Sequence, residues 1–181
     1  MDTRTETTAA EDRFRVARQP SWQRLVFPLL LRWLESRIDK SKPITEQRAD
    51  LDRASRAMQM PRGVKAEAVQ VGNMSAAWFT PANVIPERTL LYAHGGGFIT
   101  GSVQTHRALV ARLALACRAR GLLFEYRLAP EYAHPAAVED TLAAYQRLLD
   151  QQIAPDQIVL MGDSAGGALV LLALLRLRDA G

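Results

Sequence analysis

The chain has 181 residues, 48% of them hydrophobic, with 23 basic and 19 acidic side chains and a formal charge of +4. That length suggests one domain with a real core, and the mild charge, with no basic stretch interleaved with aromatics, argues against nucleic-acid binding. The single cysteine, Cys117, excludes an intramolecular disulfide and, in an Ala/Leu-rich helical context, reads as a buried, inert thiol.

Residues 1–19 are rich in Thr, Glu, Asp and Arg and have little to bury. They hold no apolar core segment, so they do not read as a secretory signal. The longest apolar stretch, residues 25–31, contains Pro28 and falls far short of the ~20 residues that span a bilayer. A soluble, cytoplasmic protein with no membrane span is the expectation.

Over residues 22–38, Trp22, Leu25, Val26, Leu29, Leu30, Trp33, Leu34 and Ile38 recur at three and four positions, predicting an amphipathic helix that Pro28 divides. A second helix is predicted over residues 44–58, with Thr45, Glu46 and Asp50 as an acidic start and Pro61 and Gly63 beyond its end. These helices either cover a site or pack on the domain flank. The expected organisation is residues 1–60 as tail and helical cap segment, and residues 61–181 as the core.

From residue 64 the pattern turns to strands, predicted at 64–71, at 76–80 (stopped by Pro81) and at 89–93 as an unbroken apolar run. A helix over 105–120 follows, with Gly121 as its stop. Then come a strand at 122–126, a helix at 138–149, a strand at 157–161 and a helix at 165–178. Strands alternating with helices predict an α/β fold with a mostly parallel sheet flanked by helices.

Two segments carry chemistry. Val159 to Gly167 is an apolar run ending in Gly162-Asp163-Ser164-Ala165-Gly166, a Gly-x-Ser-x-Gly pattern between a strand and a helix. His94-Gly95-Gly96-Gly97-Phe98 follows another apolar strand. A serine hydroxyl needs a base, and a place for the negative charge that its attack creates. A sharp strand-to-helix turn would expose Ser164, and small neighbours allow the crowding. The Ala165 amide and the Gly95-Gly96-Gly97 loop are candidate donors to an oxyanion. Gly-x-Ser-x-Gly alone also marks ordinary turns. A phosphate loop is disfavoured, because no Lys-Ser/Thr follows the glycines.

These motifs, with Tyr126-Arg127-Leu128-Ala129-Pro130-Glu131 and Pro135-Ala136-Ala137-Val138-Glu139-Asp140, occur in the order found in the hormone-sensitive-lipase-like family of α/β-hydrolase esterases, and the chain resembles the N-terminal part of that family. The resemblance implies a serine carboxylesterase acting on short- to medium-chain acyl esters, with a small-molecule ester substrate and no cofactor or metal. It implies Ser164 as nucleophile and Gly96, Gly97 and Ala165 as oxyanion donors, with Gly95 shaping the loop. His94 would order that loop and Asp163 would steady the turn. Residues 126–131 read as a structural turn, with Arg127 and Glu131 pairing locally.

In this fold the acid and histidine of the triad follow the serine. After Ser164 the only acid is Asp179 and there is no histidine. The expectation is therefore a chain lacking the family's C-terminal strands, poorly active by itself, with an unpaired sheet edge through which it self-associates. His94, His106 and His134 are read as structural or surface residues. Two rivals stay open: a ligand-binding protein on the same scaffold, and, more weakly, a peptidase sharing the serine turn.

Overall fold

The computed structural model describes residues 41–180, and before them Val26 and Leu29, both helical. The rest of the predicted 22–38 helix and the 1–19 tail lie outside the described residues. The chain divides into two units, residues 1–41 and 42–181. The helix expected at 44–58 is α1 (Ile44–Ser55) and belongs to the same unit as the sheet.

The five strands are β1 (Val64–Val71), β2 (Met74–Pro81), β3 (Thr89–Ala93), β4 (Arg120–Phe124) and β5 (Ile158–Gly162). They form one sheet in the order β1-β2-β4-β3-β5. The sheet is mixed. β1 and β2 form a hairpin whose two-residue turn pairs Val71 with Met74, and Gly72 takes the positive φ of 58° that such a turn favours. β2 is also antiparallel to β4, whereas β3 is parallel to both β4 and β5. Parallel pairing appears where a helix makes the crossover.

Those crossovers are α2 (Val103–Cys117), between β3 and β4, and α3 (Ala136–Asp150), between β4 and β5; α4 (Ala165–Ala180) follows β5. Alternation along each strand divides the core. Trp78, Leu91, Ala93, Leu122 and Phe124 face one side, with Val138, Leu148 and Leu169. Ala77, Phe79, Tyr92 and Leu123 face the other, with Val110, Ala111 and Ala114 of α2. Strands buried on both faces read as continuous apolar runs, which is why β3 and β4 were visible in the sequence.

The end of α2 differs from expectation. Arg118, not Gly121, takes the left-handed cap position, at φ 53°. Gly121 lies inside β4, where a Cβ would stand 3.0 Å from Val110 Cγ1. Its smallness serves a close helix–sheet contact rather than a helix stop.

Candidate active site

The register of the parallel strands builds the site. Ala93 pairs with Gly162 and Tyr92 with Met161, so β3 and β5 end side by side at the carboxyl edge of the sheet. The glycine loop leaves β3 there and Ser164 leaves β5. Ligands in open α/β sheets gather at this edge.

Ser164 is exposed and sits at φ 51°. A left-handed backbone is unfavourable for a non-glycine residue and persists only where the surroundings enforce it. Here they do. The Gly166 N–H donates to Asp163 O at 2.8 Å and the Ala168 N–H to Ser164 O at 3.2 Å, closing the first turn of α4 directly on the bend. α4 crosses so close to β3 that a Cβ on Gly166 would collide with the Ala93 carbonyl, and one on Gly162 with the Gly166 backbone.

Asp163 ties this turn to the glycine loop. Its Oδ1 accepts from the Gly95 N–H and from the Tyr92 hydroxyl, both at 2.9 Å. His106 Nε2 lies 3.4 Å from the same oxygen. The Gly95 amide is therefore committed to the junction. Gly96, Gly97 and Ala165 donate their N–H groups to no other protein group among the described residues.

Two peptide planes decide where the loop amides point. The Gly95 carbonyl meets His94 Nδ1 at 2.9 Å. A carbonyl only accepts, so Nδ1 carries the hydrogen. The Gly96 carbonyl accepts from the Ile99 N–H (3.1 Å), the Thr100 N–H (2.9 Å) and the Thr100 hydroxyl (2.9 Å). In a trans peptide the N–H points opposite to the carbonyl. The N–H groups of Gly96 and Gly97 are thus turned away from His94 and Thr100. Gly96 (φ 126°) and Gly97 (φ 63°) adopt backbone conformations that side chains resist.

His94 is fully buried, stacks on Tyr126 at 4.2 Å between centroids, and has no hydrogen-bond partner for Nε2 among the described residues. Burial pulls its pKa from 6.5 down to about 4, so the ring is neutral at pH 7. Glu125 Oε2 lies 3.8 Å from that nitrogen, and burial raises the Glu125 carboxyl to about 7. The Tyr126 hydroxyl donates to His94 O at 2.7 Å. His94 thus sits under the loop as a support. His134 is exposed, in the turn before α3. No histidine hydrogen-bonds Ser164 among the described residues.

The expected pairing of Arg127 with Glu131 is corrected by the structure. Arg127 reaches instead to Asp140, at 2.8 Å from Nη2, and to Glu139 at 3.1 Å. Glu131 pairs with Arg48 of α1 at 2.8 Å. Asp140 is 7% exposed, so its carboxylate needs a cation, and Arg127 supplies it from across the turn. The contacts of Arg48, Tyr92 and Asp140 were not legible in the sequence, because each meets a partner 13 or more residues away.

A cleft of about 270 Å³ opens beside the glycine loop, between Gly97 and Phe98 on one side and Val138, Leu169 and Leu172 on the other. Among the described residues no group of three or more His, Cys, Asp or Glu side chains is placed to hold a metal ion. None of the described helices is long and apolar enough to cross a membrane.

Comparison with known proteins agrees with this fold. A family model of the alpha/beta hydrolase fold matches residues 90–181. An acetyl-hydrolase of Streptomyces hygroscopicus is 44% identical over 138 residues, which is 76% of this chain and 46% of that one. The esterase LipU of Mycobacterium tuberculosis is 35% identical over 135 residues, 72% of this chain and 46% of that one. Among solved structures, an esterase of the bacterial hormone-sensitive lipase family superimposes with a TM-score of 0.74 at 39% identity, covering 77% of this chain and 47% of that one. An esterase/lipase from an uncultured bacterium gives 0.78 at 36% identity, covering 90% and 55%. The chain spans about half the length of the relatives it matches. It belongs to the α/β-hydrolase fold family, among the hormone-sensitive-lipase-like esterases.

Proposed function

We propose that the chain carries the nucleophile and oxyanion half of a carboxylic ester hydrolase acting on short- to medium-chain acyl esters. Ser164 Oγ attacks the ester carbonyl, and the N–H groups of Gly96, Gly97 and Ala165 hold the oxygen that becomes negative. The observation that carries this reading is the strained Ser164, at φ 51°, beside a loop whose Gly96 and Gly97 amides have no other acceptor among the described residues. One such donor is worth about 3 kcal/mol of barrier in comparable sites. The cleft at Gly97 and Phe98 suits a small apolar substituent, since its volume falls near the ~300 Å³ low end of ligand pockets.

Attack also requires an acceptor for the Ser164 proton. His94 is neutral, buried and bonded to the loop, and neither His106 nor His134 hydrogen-bonds Ser164. Turnover by these 181 residues is therefore expected to be residual, which is the level that an oxyanion hole and substrate binding sustain without a triad. The second reading is a protein that binds a small ester or acid in the cleft at Gly97 and Phe98 without hydrolysing it.

A fluorophosphonate separates the two readings. Ser164 Oγ forms a bond to phosphorus, fluoride leaves, and the proton passes to solvent. Slow labelling over hours, mapped by mass spectrometry to Ser164 and lost in Ser164→Ala, supports the hydrolase reading. No adduct at Ser164, with the protein folded, removes it.

A further inference from the structure

Phe98, directly after the glycines, sits at φ 64°. A bulky residue does not hold the left-handed region unaided. Its carbonyl accepts the Ala129 N–H at 2.9 Å, which ties the loop to the 129–131 turn. That turn and the loop share a second tie, and it comes from α1.

Arg48 Nε donates to Ile99 O at 2.8 Å, and Nη2 donates to Ala129 O at 2.8 Å. Nη1 and Nη2 also donate to Glu131 Oε1 and Oε2, at 2.9 and 2.8 Å. A guanidinium is planar, so these four bonds fix two backbone carbonyls and one carboxylate relative to each other in a way no point charge can. Farther along α1, Asp52 accepts the hydroxyl of Ser102, the N-cap of α2, and the Ser55 hydroxyl reaches Gln104 O at 3.3 Å. One face of α1 therefore borders the whole segment from Ile99 to Gln104. The Arg48 side chain keeps only 23% of its surface exposed. The Glu131 carboxyl is held below the usual carboxylate range by its bond to Arg48.

We infer that Arg48 is a positioning residue of the oxyanion loop, and that α1 braces this loop rather than merely covering the site. Through Ile99 and Ala129, Arg48 maintains the left-handed turn at Phe98, and with it the direction of the Gly96 and Gly97 amides. The inference rests on the proposed role of those amides. An isolated surface ion pair contributes little. The weight falls on the two carbonyl bonds, which only a fork-shaped donor makes together.

The test uses the full chain with Arg48→Ala and Arg48→Lys, and two measurements. The first is amide hydrogen exchange at Ile99, Thr100 and Ala129, with Leu91 and Leu122 in the sheet as references. The second is the rate of Ser164 labelling by a fluorophosphonate. For Arg48→Ala, exchange at the three loop amides is expected to rise about tenfold or more, and labelling to slow about tenfold or more, with the sheet amides unmoved. Arg48→Lys is expected to fall between the two chains. Loop exchange and labelling unchanged in Arg48→Ala overturn the inference. So does a rise that is equal in loop and sheet, which makes Arg48 a residue of general stability. If Arg48→Ala does not fold, Arg48→Lys decides by the same comparison. If the unaltered chain is not labelled at Ser164, the hydrolase reading fails, and exchange alone decides whether Arg48 holds the loop.

Discussion

Asp163 Oδ1 accepts the Gly95 N–H at 2.9 Å, so the residue before the candidate nucleophile holds the start of the loop that faces it. The same oxygen accepts the Tyr92 hydroxyl. Two loops separated by 68 residues in sequence are thus joined at one carboxylate. A hydrogen bond to a charged group contributes about 1.5–3 kcal/mol. Asp163→Ala is expected to lower unfolding stability in urea by about 2 kcal/mol and to slow Ser164 labelling. Asp163→Asn keeps an oxygen for the Gly95 N–H and is expected to lose less than half as much. Equal losses in the two variants would show that the charge, not the bond to Gly95, matters.

Two adjacent glycines of α4 are expected to respond in opposite directions. A Cβ on Gly166 meets the Ala93 and His94 carbonyls, which belong to the strand end and cannot yield cheaply. A Cβ on Gly167 has its nearest neighbour at 3.5 Å, an ordinary contact. Gly166→Ala is expected to destabilise by about 3 kcal/mol or more through overpacking. Gly167→Ala is expected to stabilise by about 0.5–1 kcal/mol, because alanine favours the helix. Urea midpoints of the two variants measure both, and like-signed changes would refute the packing argument.

Stability against pH reports on the pair beneath the loop. Glu125, raised to about 7 by burial, keeps a proton that the unfolded chain releases near 4.5. In that window the folded state binds more protons, so its stability falls as pH rises. His94, lowered to about 4 from 6.5, does the reverse, and its contribution grows as pH rises from about 4 to 6.5. The two oppose each other between about 4.5 and 6.5. Glu125 keeps 35% of its side chain exposed and His94 keeps none, so burial bears more heavily on the histidine. Asp52, His106 and Asp163 add smaller fields at this pair. Glu125→Gln deletes the falling limb. Its stability is expected to climb more steeply than that of the unaltered chain between pH 4.5 and 6.5, and to stay level to pH 7.5 where the unaltered chain declines. Parallel profiles for the two proteins would exclude the assignment to Glu125.

The local parts of this architecture were readable from the sequence, and the long-range parts were not. β1 and β3 emerge with the boundaries that their alternation and apolar run predict. Ser164 and the three glycines lie at strand ends because strand, turn and helix signals are all local. The helix end at Arg118 was missed because a left-handed arginine leaves no mark in the sequence, while Gly121 imitates a stop that packing against Val110 explains. The partners of Arg127 and Glu131 were misread for the same reason. A carboxylate chooses its cation by three-dimensional proximity, and Arg48 is 83 residues from Glu131.

The outer surface of α4 gives the last expectation. Leu169 and Ala173, four apart, are buried against the sheet. Leu171, Leu172, Leu174 and Leu175 are 37% to 64% exposed, and Val159 of the neighbouring edge strand β5 is 54% exposed. A helix that is apolar on both faces, beside a strand whose outer edge is unpaired among the described residues, is a patch that water disfavours and another chain can cover. A polypeptide of these 181 residues is therefore expected to sediment above its 20.1 kDa monomer mass, increasingly so at higher concentration. Leu171→Lys combined with Leu175→Glu places one i, i+4 charge pair on the patch and leaves the buried stripe intact. The double variant is expected to shift the population toward monomer without losing helix content by circular dichroism. Monomer at every concentration for the unaltered chain would mean that this leucine surface is already covered.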